Sequence, residues 1–208
     1  ELLVVLGADH VTAHDAANGA ELWRVGGLNP EANGFFRSIA SPVLAGDLVI
    51  APYARGGTIT AIRRGGSGDV TTSHVAWVRR DVGADVPTPA VKDGRIIVCG
   101  DKGIVEGLDA ASGKTVWRKE LPKNRNAYSA SPVIVDGRVV VVREDGVASV
   151  LGWPTAAGET PADRMGDEHG PEVVGGGSVE EMTVATPVCV DGRMFLRTHD
   201  SLWCIGDK

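Results

Sequence analysis

The chain has 208 residues, of which 43% are hydrophobic, and this predicts one domain with a sizeable core. Its 21 Lys and Arg residues against 27 Asp and Glu residues give a net charge of -6, which argues against nucleic acid as a partner. No apolar stretch reaches the roughly 18 residues that a membrane helix needs, so we expect no membrane span. The 28 Gly and 11 Pro residues, set between runs of Val, Ile and Thr, favour an all-β fold.

The chain opens with three short apolar runs, near residues 2–6, 11–15 and 21–25, which we predict to be β-strands. The second and third runs belong to a phrase, A-x-D-x-x-x-G-x-x-x-W, that extends from residue 13 to 23 and returns at 107–117 with Gly in place of the first Ala. In such a phrase the Asp hydrogen-bonds turn amides, the Gly supplies a positive φ and the Trp buries its ring. We therefore assign structural roles to Asp15, Gly19, Trp23, Asp109, Gly113 and Trp117.

A second phrase, Ser or Thr followed by Pro, an apolar run and a Gly-containing turn, occurs four times, at residues 41–47, 88–94, 131–137 and 186–192. A further apolar run follows each turn, and Asp-Gly between two such runs is a strong hairpin pattern. Proline cannot donate to a sheet ladder, so we place it at the first residue of its strand.

Joined, the two phrases predict four antiparallel strands in about 45 residues, which is the unit length of a propeller blade. We expect 18 strands in all. The predicted units are a partial blade at 1–25, blades at about 41–80, 88–121 and 130–184, and a partial blade at 186–208. The blade at 130–184 carries a predicted loop insertion at 152–181, whose polar cluster at 163–170 we interpret as a solvated loop and whose glycines at 175–177 add flexibility.

These residues resemble the pyrroloquinoline-quinone-like (BamB-like) β-propeller repeat family, in which the A-x-D-x-x-x-G-x-x-x-W phrase is a tryptophan-docking motif. The resemblance implies a β-propeller of four-stranded blades, of which this chain supplies a partial ring of about four to five, and an extracytoplasmic location in the periplasm or cell envelope. One blade departs from the motif, since Arg63 stands where Asp is expected and Trp77 follows Ala61 by sixteen residues instead of ten. We assign Trp77 a structural role as well.

Quinoprotein dehydrogenases of this fold hold their quinone with a vicinal disulfide, a Trp floor and calcium, whereas the cysteines here lie apart, at positions 99, 189 and 204. Cys189 and Cys204 would stand two strand spacings apart, roughly 9.6 Å, so we expect three free thiols. We expect no catalytic, cofactor-binding or metal-binding residues. Pyrroloquinoline quinone with calcium enters only under an alternative hypothesis, an oxidoreductase whose cofactor residues lie in further blades.

Propeller geometry places the turns between the second and third strands on the same rim as the connections between blades. Two connections, 33–37 and 124–129, mix aromatic residues with Arg, a composition enriched at binding hot spots. The candidate binding rim comprises Phe35, Phe36, Arg37, Arg55, Lys102, Arg125, Asn126, Tyr128 and Glu144, with Asp85 and His199 on the same rim.

The sequence thus predicts a non-enzymatic propeller scaffold that presents this rim to a protein or peptide. The alternatives are the quinoprotein-type oxidoreductase and a sensory or carbohydrate-binding module. We further expect a longer native protein, with about three or four blades before Glu1, or a partner chain that covers the open sheet edges.

Overall fold

The computed structural model describes residues 1–153 and 170–206, which form five consecutive blades of a β-propeller. Blade 1 contains β1 (Leu2–Leu6), β2 (Val11–Asp15) and β3 (Glu21–Val25), and blade 2 contains β4 (Val43–Ala45), β5 (Leu48–Tyr53), β6 (Thr58–Arg63) and β8 (Val75–Arg79). Blade 3 contains β9 (Ala90–Lys92), β10 (Arg95–Cys99), β11 (Ile104–Asp109) and β12 (Thr115–Glu120). Blade 4 contains β13 (Val133–Val135), β14 (Arg138–Val142), β15 (Val147–Gly152) and β16 (Val173–Ser178), and blade 5 contains β17 (Val188–Val190), β18 (Arg193–Arg197) and β19 (Leu202–Gly206).

The hydrophobic core consists of four clusters, one between each pair of successive blades. Each strand alternates its side chains between the two faces of its sheet, so both faces of an internal blade contribute to a cluster. The first two strands of blades 3, 4 and 5 meet at the Asp-Gly turns of the sequence phrase. In blade 3, Asp93 and Gly94 have φ of 48° and 71°, the positive values that a type I′ hairpin turn requires.

The Ser or Thr before each repeated Pro links neighbouring blades through its hydroxyl group. The Ser41 amide donates to Thr88 Oγ1 at 2.9 Å, and the Thr88 amide donates to Ser131 Oγ at 3.0 Å. The Ser131 amide continues the series by donating to Thr186 Oγ1 at 3.0 Å. The hydroxyl groups thereby satisfy amides that lie ahead of the inner strands, which gives a physical reason for Ser or Thr at this position.

The motif tryptophans occupy equivalent positions on the outer strands of three blades. Trp23 pairs with Ala13, Trp77 with Ala61 and Trp117 with Gly107, and each ladder shifts register directly after that pair. Trp23 is 1% exposed and Trp117 is 7% exposed, while Trp77 is half-buried. In blade 4 the same register position pairs Val150 with Gly175, so no indole ring is present there.

Trp77 contacts the motif turn of the following blade. Its Nε1 donates a hydrogen bond to the Ala110 carbonyl at 3.0 Å, and its ring lies where a Cβ on Gly113 would stand, 2.7 Å from Cδ2. The turn itself is held by Asp109, whose Oδ1 accepts the Ser112 amide at 2.9 Å. Asp15 holds the turn of blade 1 by a similar bond to the amide one residue earlier in the turn, since its Oδ1 accepts the Ala17 amide at 2.9 Å.

The extra residues before Trp77 form structure that the sequence did not predict. β7 (Gly68–Asp69) pairs in parallel with β3, so it adds a fourth strand to the predicted partial blade at 1–25. The short helix α1 (Thr71–His74) follows, and Thr71 Oγ1 accepts the Gly26 amide at 2.8 Å. With β7 the described residues contain 19 strands, against the 18 predicted.

The predicted loop insertion at 152–181 is wrong in its extent, because β16 lies inside it as the outer strand of blade 4. Gly175, Gly176 and Gly177 belong to this strand and pair with Val150, Ser149 and Ala148 of β15. Inter-strand pairing therefore orders a segment whose composition suggested flexibility. Most of the predicted polar cluster at 163–170 lies outside the described residues.

Candidate functional site

The rim forms where the turns between second and third strands meet the connections between blades. Backbone hydrogen bonds hold the two kinds of loop together, since the Tyr128 amide donates to the Asp101 carbonyl at 3.0 Å and the Glu144 amide donates to the Ala127 carbonyl at 2.9 Å. The Thr183 amide donates in turn to the Glu144 carbonyl at 2.9 Å. These bonds make the rim a set of anchored loops.

Phe35 is the most exposed aromatic residue of the candidate rim, with 81% of its surface accessible. Its loop is ordered around Asn33, whose Oδ1 accepts the Phe35 amide at 2.9 Å. The Asn33 amide donates to Asn29 Oδ1 at 2.9 Å, and the Asn29 amide donates to Asp9 Oδ1 at 2.5 Å. An aromatic ring is therefore held in solvent by a hydrogen-bonded loop.

Phe36 points the other way and packs against the core between blades 1 and 2. Its ring meets Tyr53 edge to face, with centroids 5.9 Å apart and an interplanar angle of 82°. Burial is the main cause that raises the pKa of Tyr53. Of the two adjacent phenylalanines predicted at the rim, only Phe35 has its ring largely in solvent.

Arg37 and Arg55 converge on one buried carboxylate. Asp85 has a side chain that is only 2% exposed, and Arg37 Nε lies 3.2 and 3.1 Å from its two oxygens. Arg55 Nε lies 4.0 Å from Asp85 Oδ2. The hydrogen bond to Asp85 raises the pKa of Arg37. Both arginine side chains remain about half exposed, at 47% and 49%, so their unused N–H groups are available to a ligand.

The remaining predicted rim residues fall into exposed and inward-facing groups. Lys102 and Arg125 are exposed, and Asn126 and Glu144 are half-buried. Glu144 Oε1 accepts a hydrogen bond from Ser129 Oγ at 2.6 Å. Tyr128 is 3% exposed and belongs to the core between blades 3 and 4, so its ring stabilises the blade packing and is not presented at the surface.

Several charged residues of the rim were missed by sequence reasoning. Arg143 is 9% exposed and binds Asp145 through two hydrogen bonds, of 2.8 and 3.0 Å. Asp101 and Glu106 line a cavity between blades 2 and 3 together with Asp81. Aligning the turns after each second strand would have found part of this set, because Asp9, Asp101, Asp145 and Asp200 recur there.

The cysteines do not reproduce the vicinal disulfide of the dehydrogenases. Cys99 is buried at the end of β10, and burial raises the pKa of its thiol to about 12. Cys189 pairs with Met194 and faces blade 4, while Cys204 pairs with Phe195 on the opposite face of blade 5. Over residues 1–153 and 170–206, no group of three or more His, Cys, Asp or Glu side chains could hold a metal ion.

The blades, their tryptophans and their hydroxyl links define a β-propeller of pyrroloquinoline-quinone-like repeats. The family model for the outer membrane protein assembly factor BamB matches residues 1–74 and 57–161, and the chain belongs to this family. Among curated protein sequences, none matches it. Across the described residues, no helix is long and apolar enough to cross a membrane.

Solved structures share the fold at low sequence identity. The computationally designed Ika8 protein is 16% identical with a TM-score of 0.69, and the match covers 98% of this chain and 55% of that one. BamB from Moraxella catarrhalis is 16% identical with a TM-score of 0.50, covering 98% of this chain and 66% of that one. The dihydro-heme d1 dehydrogenase NirN is 17% identical with a TM-score of 0.65, covering 99% and 41%. The chain thus spans between about half and two thirds of the first two proteins.

Proposed function

We propose that this chain is a non-enzymatic propeller scaffold that presents its rim to a protein or peptide in the cell envelope. The observation that carries the proposal is Phe35, an 81% exposed ring on a loop fixed by hydrogen bonds through Asn33 and Asn29. Membership of a family named for outer membrane protein assembly supports both a protein partner and an extracytoplasmic location.

An ordered, exposed aromatic residue favours binding for two physical reasons. Burying a large aromatic ring in an interface contributes more transfer free energy than burying most other side chains does. Because the loop is already held in place, association loses little conformational entropy when the ring is covered. Arg37 and Arg55 lie close to the same connection and add N–H donors to the surface, and arginine beside an aromatic anchor is a frequent hot-spot composition.

A photocrosslinking amino acid at position 35, compared with the same group at position 92, tests the proposal. Lys92 is exposed at the end of β9 next to the Asp93-Gly94 turn, at the opposite end of the blade from the rim. We expect one discrete adduct from position 35 in a cell-envelope extract and none from position 92. The protein in that adduct is then identified by mass spectrometry and purified.

With the purified partner, Phe35→Ala should weaken binding at least about tenfold, as hot-spot truncations do, while Lys92→Ala leaves it unchanged. Equal crosslinking at the two positions, or equal affinity of the two variants, would overturn the proposal.

An absorption spectrum tests the oxidoreductase alternative. The intact protein is equilibrated with pyrroloquinoline quinone and calcium, and the alternative requires an absorption band from stoichiometrically bound quinone.

A further inference from the structure

A cavity of about 240 Å³ opens at the rim between blades 2 and 3. Three carboxylates and two cationic groups line it, namely Asp81, Asp101, Glu106, Arg55 and Lys102. The apolar part of the wall comes from Val82, Val98 and Ile104. Arg55 and Lys102 are exposed and stand at the mouth, whereas Glu106 is only 9% exposed and lies toward the floor.

The protein compensates the two inner carboxylates only in part, since backbone hydrogen bonds of Asp85 and Asp101 and the charge of Arg37 act on the Asp101 carboxyl. Asp101 Oδ1 is fully buried, and no hydrogen-bond donor among the described residues reaches it. Glu106 accepts one hydrogen bond, from Thr115 Oγ1 to Oε2 at 3.1 Å, and its Oε1 lies 3.8 Å from Arg118 Nε. Burial is the main cause that raises the pKa of both Asp101 and Glu106.

The equivalent position in the neighbouring blades holds a hydroxyl group instead of a carboxylate. Glu106 precedes Gly107, which pairs with the motif Trp, and Thr60 precedes Ala61 in the same register in blade 2. Thr60 lines a cavity of about 190 Å³ between blades 1 and 2, together with Thr58 and Thr71. The same repeat geometry therefore produces one cavity walled by threonines and one that contains carboxylates.

Arg55 and Lys102 line the cavity as exposed cations, and Arg55 Nε lies 4.0 Å from Asp85 Oδ2, while three other nearby arginines are engaged by other carboxylates. Arg79 binds Asp81 through Nε at 2.7 Å, and Arg118 binds Glu120 at 2.6 Å. Arg37 is held by Asp85. A positively charged group that enters the cavity would supply a hydrogen bond to Glu106 Oε1 that these residues do not, and would lie near the Asp101 carboxylate. Charge-assisted hydrogen bonds are the stronger kind.

We propose that the cavity between blades 2 and 3 receives a basic side chain, Lys or Arg, from the peptide or protein that binds the rim. This inference rests on the proposed function. The aliphatic stem of that side chain packs on Val82, Val98 and Ile104 while its charged end meets Asp101 and Glu106. The net charge of -6 on the whole chain adds a weak long-range attraction for such a partner.

A titration followed by nuclear magnetic resonance tests the site with defined probes. The probes are two short peptides, acetylated and amidated, which differ only in a central Arg or a central Gln. We expect the Arg peptide to shift the amide signals of Gly83 and Gly100, which line the cavity, and the Gln peptide to leave them unchanged.

Two variants and one control locate the interaction. Glu106→Gln and Asp101→Asn should each weaken binding of the Arg peptide at least about tenfold, as loss of a charged hydrogen-bond partner does. Thr60 shows that a neutral polar side chain is compatible with the position of Glu106. Asp93→Asn is the matched control, because Asp93 is an exposed carboxylate of the same blade that lies in the turn after β9, away from the cavity.

Equal shifts with both peptides, or unchanged affinity in Glu106→Gln and Asp101→Asn, would overturn the inference. The crosslink from position 35 separates this result from failure of the proposed function. If that crosslink persists while the cavity variants bind the partner normally, the rim binds a protein without using the cavity, and only the further inference is wrong.

Discussion

For the substitution Gly107→Ala, the sequence repeat and the structure predict stability changes of opposite sign. The positions that pair with the other motif tryptophans are alanines, Ala13 and Ala61, so the repeat alone suggests that Ala at 107 is harmless. Replacing Gly by Ala in compatible backbone also stabilises by about 0.4–1 kcal/mol, because the unfolded chain loses freedom. The structure predicts the opposite sign.

The reason is the ring of Trp117, which occupies the space beside the Gly107 Cα. A Cβ built on Gly107 would stand 2.7 Å from Trp117 Cζ2 and closer still to Cε2 and Nε1. The ring is 7% exposed and packs in the core between blades 3 and 4, so it has little room to move. Overpacking of this kind costs about 1–3 kcal/mol. The upper limit is the cost of removing the ring, about 3–5 kcal/mol for Trp→Ala in a core.

Urea denaturation measures the effect in four variants, Gly107→Ala, Gly177→Ala, Trp117→Leu and the double variant Gly107→Ala with Trp117→Leu. Gly177→Ala is the matched control, since this strand glycine has open space at its Cβ position and should be neutral or slightly stabilising. We expect Gly107→Ala to be less stable than the wild type, and to lose that cost when combined with Trp117→Leu, which removes the ring. A midpoint for Gly107→Ala at or above that of Gly177→Ala would refute the steric argument.

Three further predictions concern single groups. Thr88→Val removes the acceptor of the Ser41 amide and should cost about 1 kcal/mol in chemical denaturation, whereas a change below the error would mean that the hydroxyl links are dispensable. Alkylation followed by mass spectrometry should label the exposed Cys204 first and the buried Cys99, whose pKa is raised to about 12, only on unfolding, with three labels in denaturant. Burial raises the folded-state pKa of Glu106 above 4.5, so the native state binds more protons than the unfolded state between the two values, and stability falls as pH rises through that window. Glu106→Gln should flatten this part of the curve of unfolding free energy against pH, and an unchanged slope would contradict the assignment.

The sequence predicted the blades well where local chemistry determines the structure. Asp-Gly turns and the Asp-to-Trp spacing act over a few residues, so they can be recognised without knowing the neighbours. β7 was missed and the outer strand of blade 4 was misplaced, because β7 and β16 are ordered by pairing with β3 and β15, across a blade boundary and across a long insertion. Gly175–Gly177 have low strand propensity, and only the ladder to β15 makes them a strand.

The candidate site was predicted less completely, since side-chain direction in a loop has no simple period. Phe35 and Phe36 are adjacent and equally apolar, yet one is exposed and the other packs on Tyr53. Tyr128 is buried because Gly103 leaves room for its ring, and a Cβ there would stand 2.7 Å from Cε2. Arg37 finds its partner Asp85 at a separation of 48 residues, which no local pattern encodes.

At position 106, the residue type that best stabilises the blade differs from the residue type that would bind a cation. Blades 1, 2 and 4 place Thr12, Thr60 and Ser149 at its register position, immediately before the residue that pairs with the outer strand's Trp or Gly. A hydroxyl group can be satisfied there by one hydrogen bond, whereas a buried carboxylate costs several kcal/mol unless charge and hydrogen bonds compensate it. Glu106 has one hydrogen bond and a guanidinium group 3.8 Å away that is shared with Glu120. The stability of the blade alone therefore favours Thr over Glu at position 106. The packing of blades 2 and 3 gives no reason for a carboxylate there, whereas binding of a cation from outside the chain does.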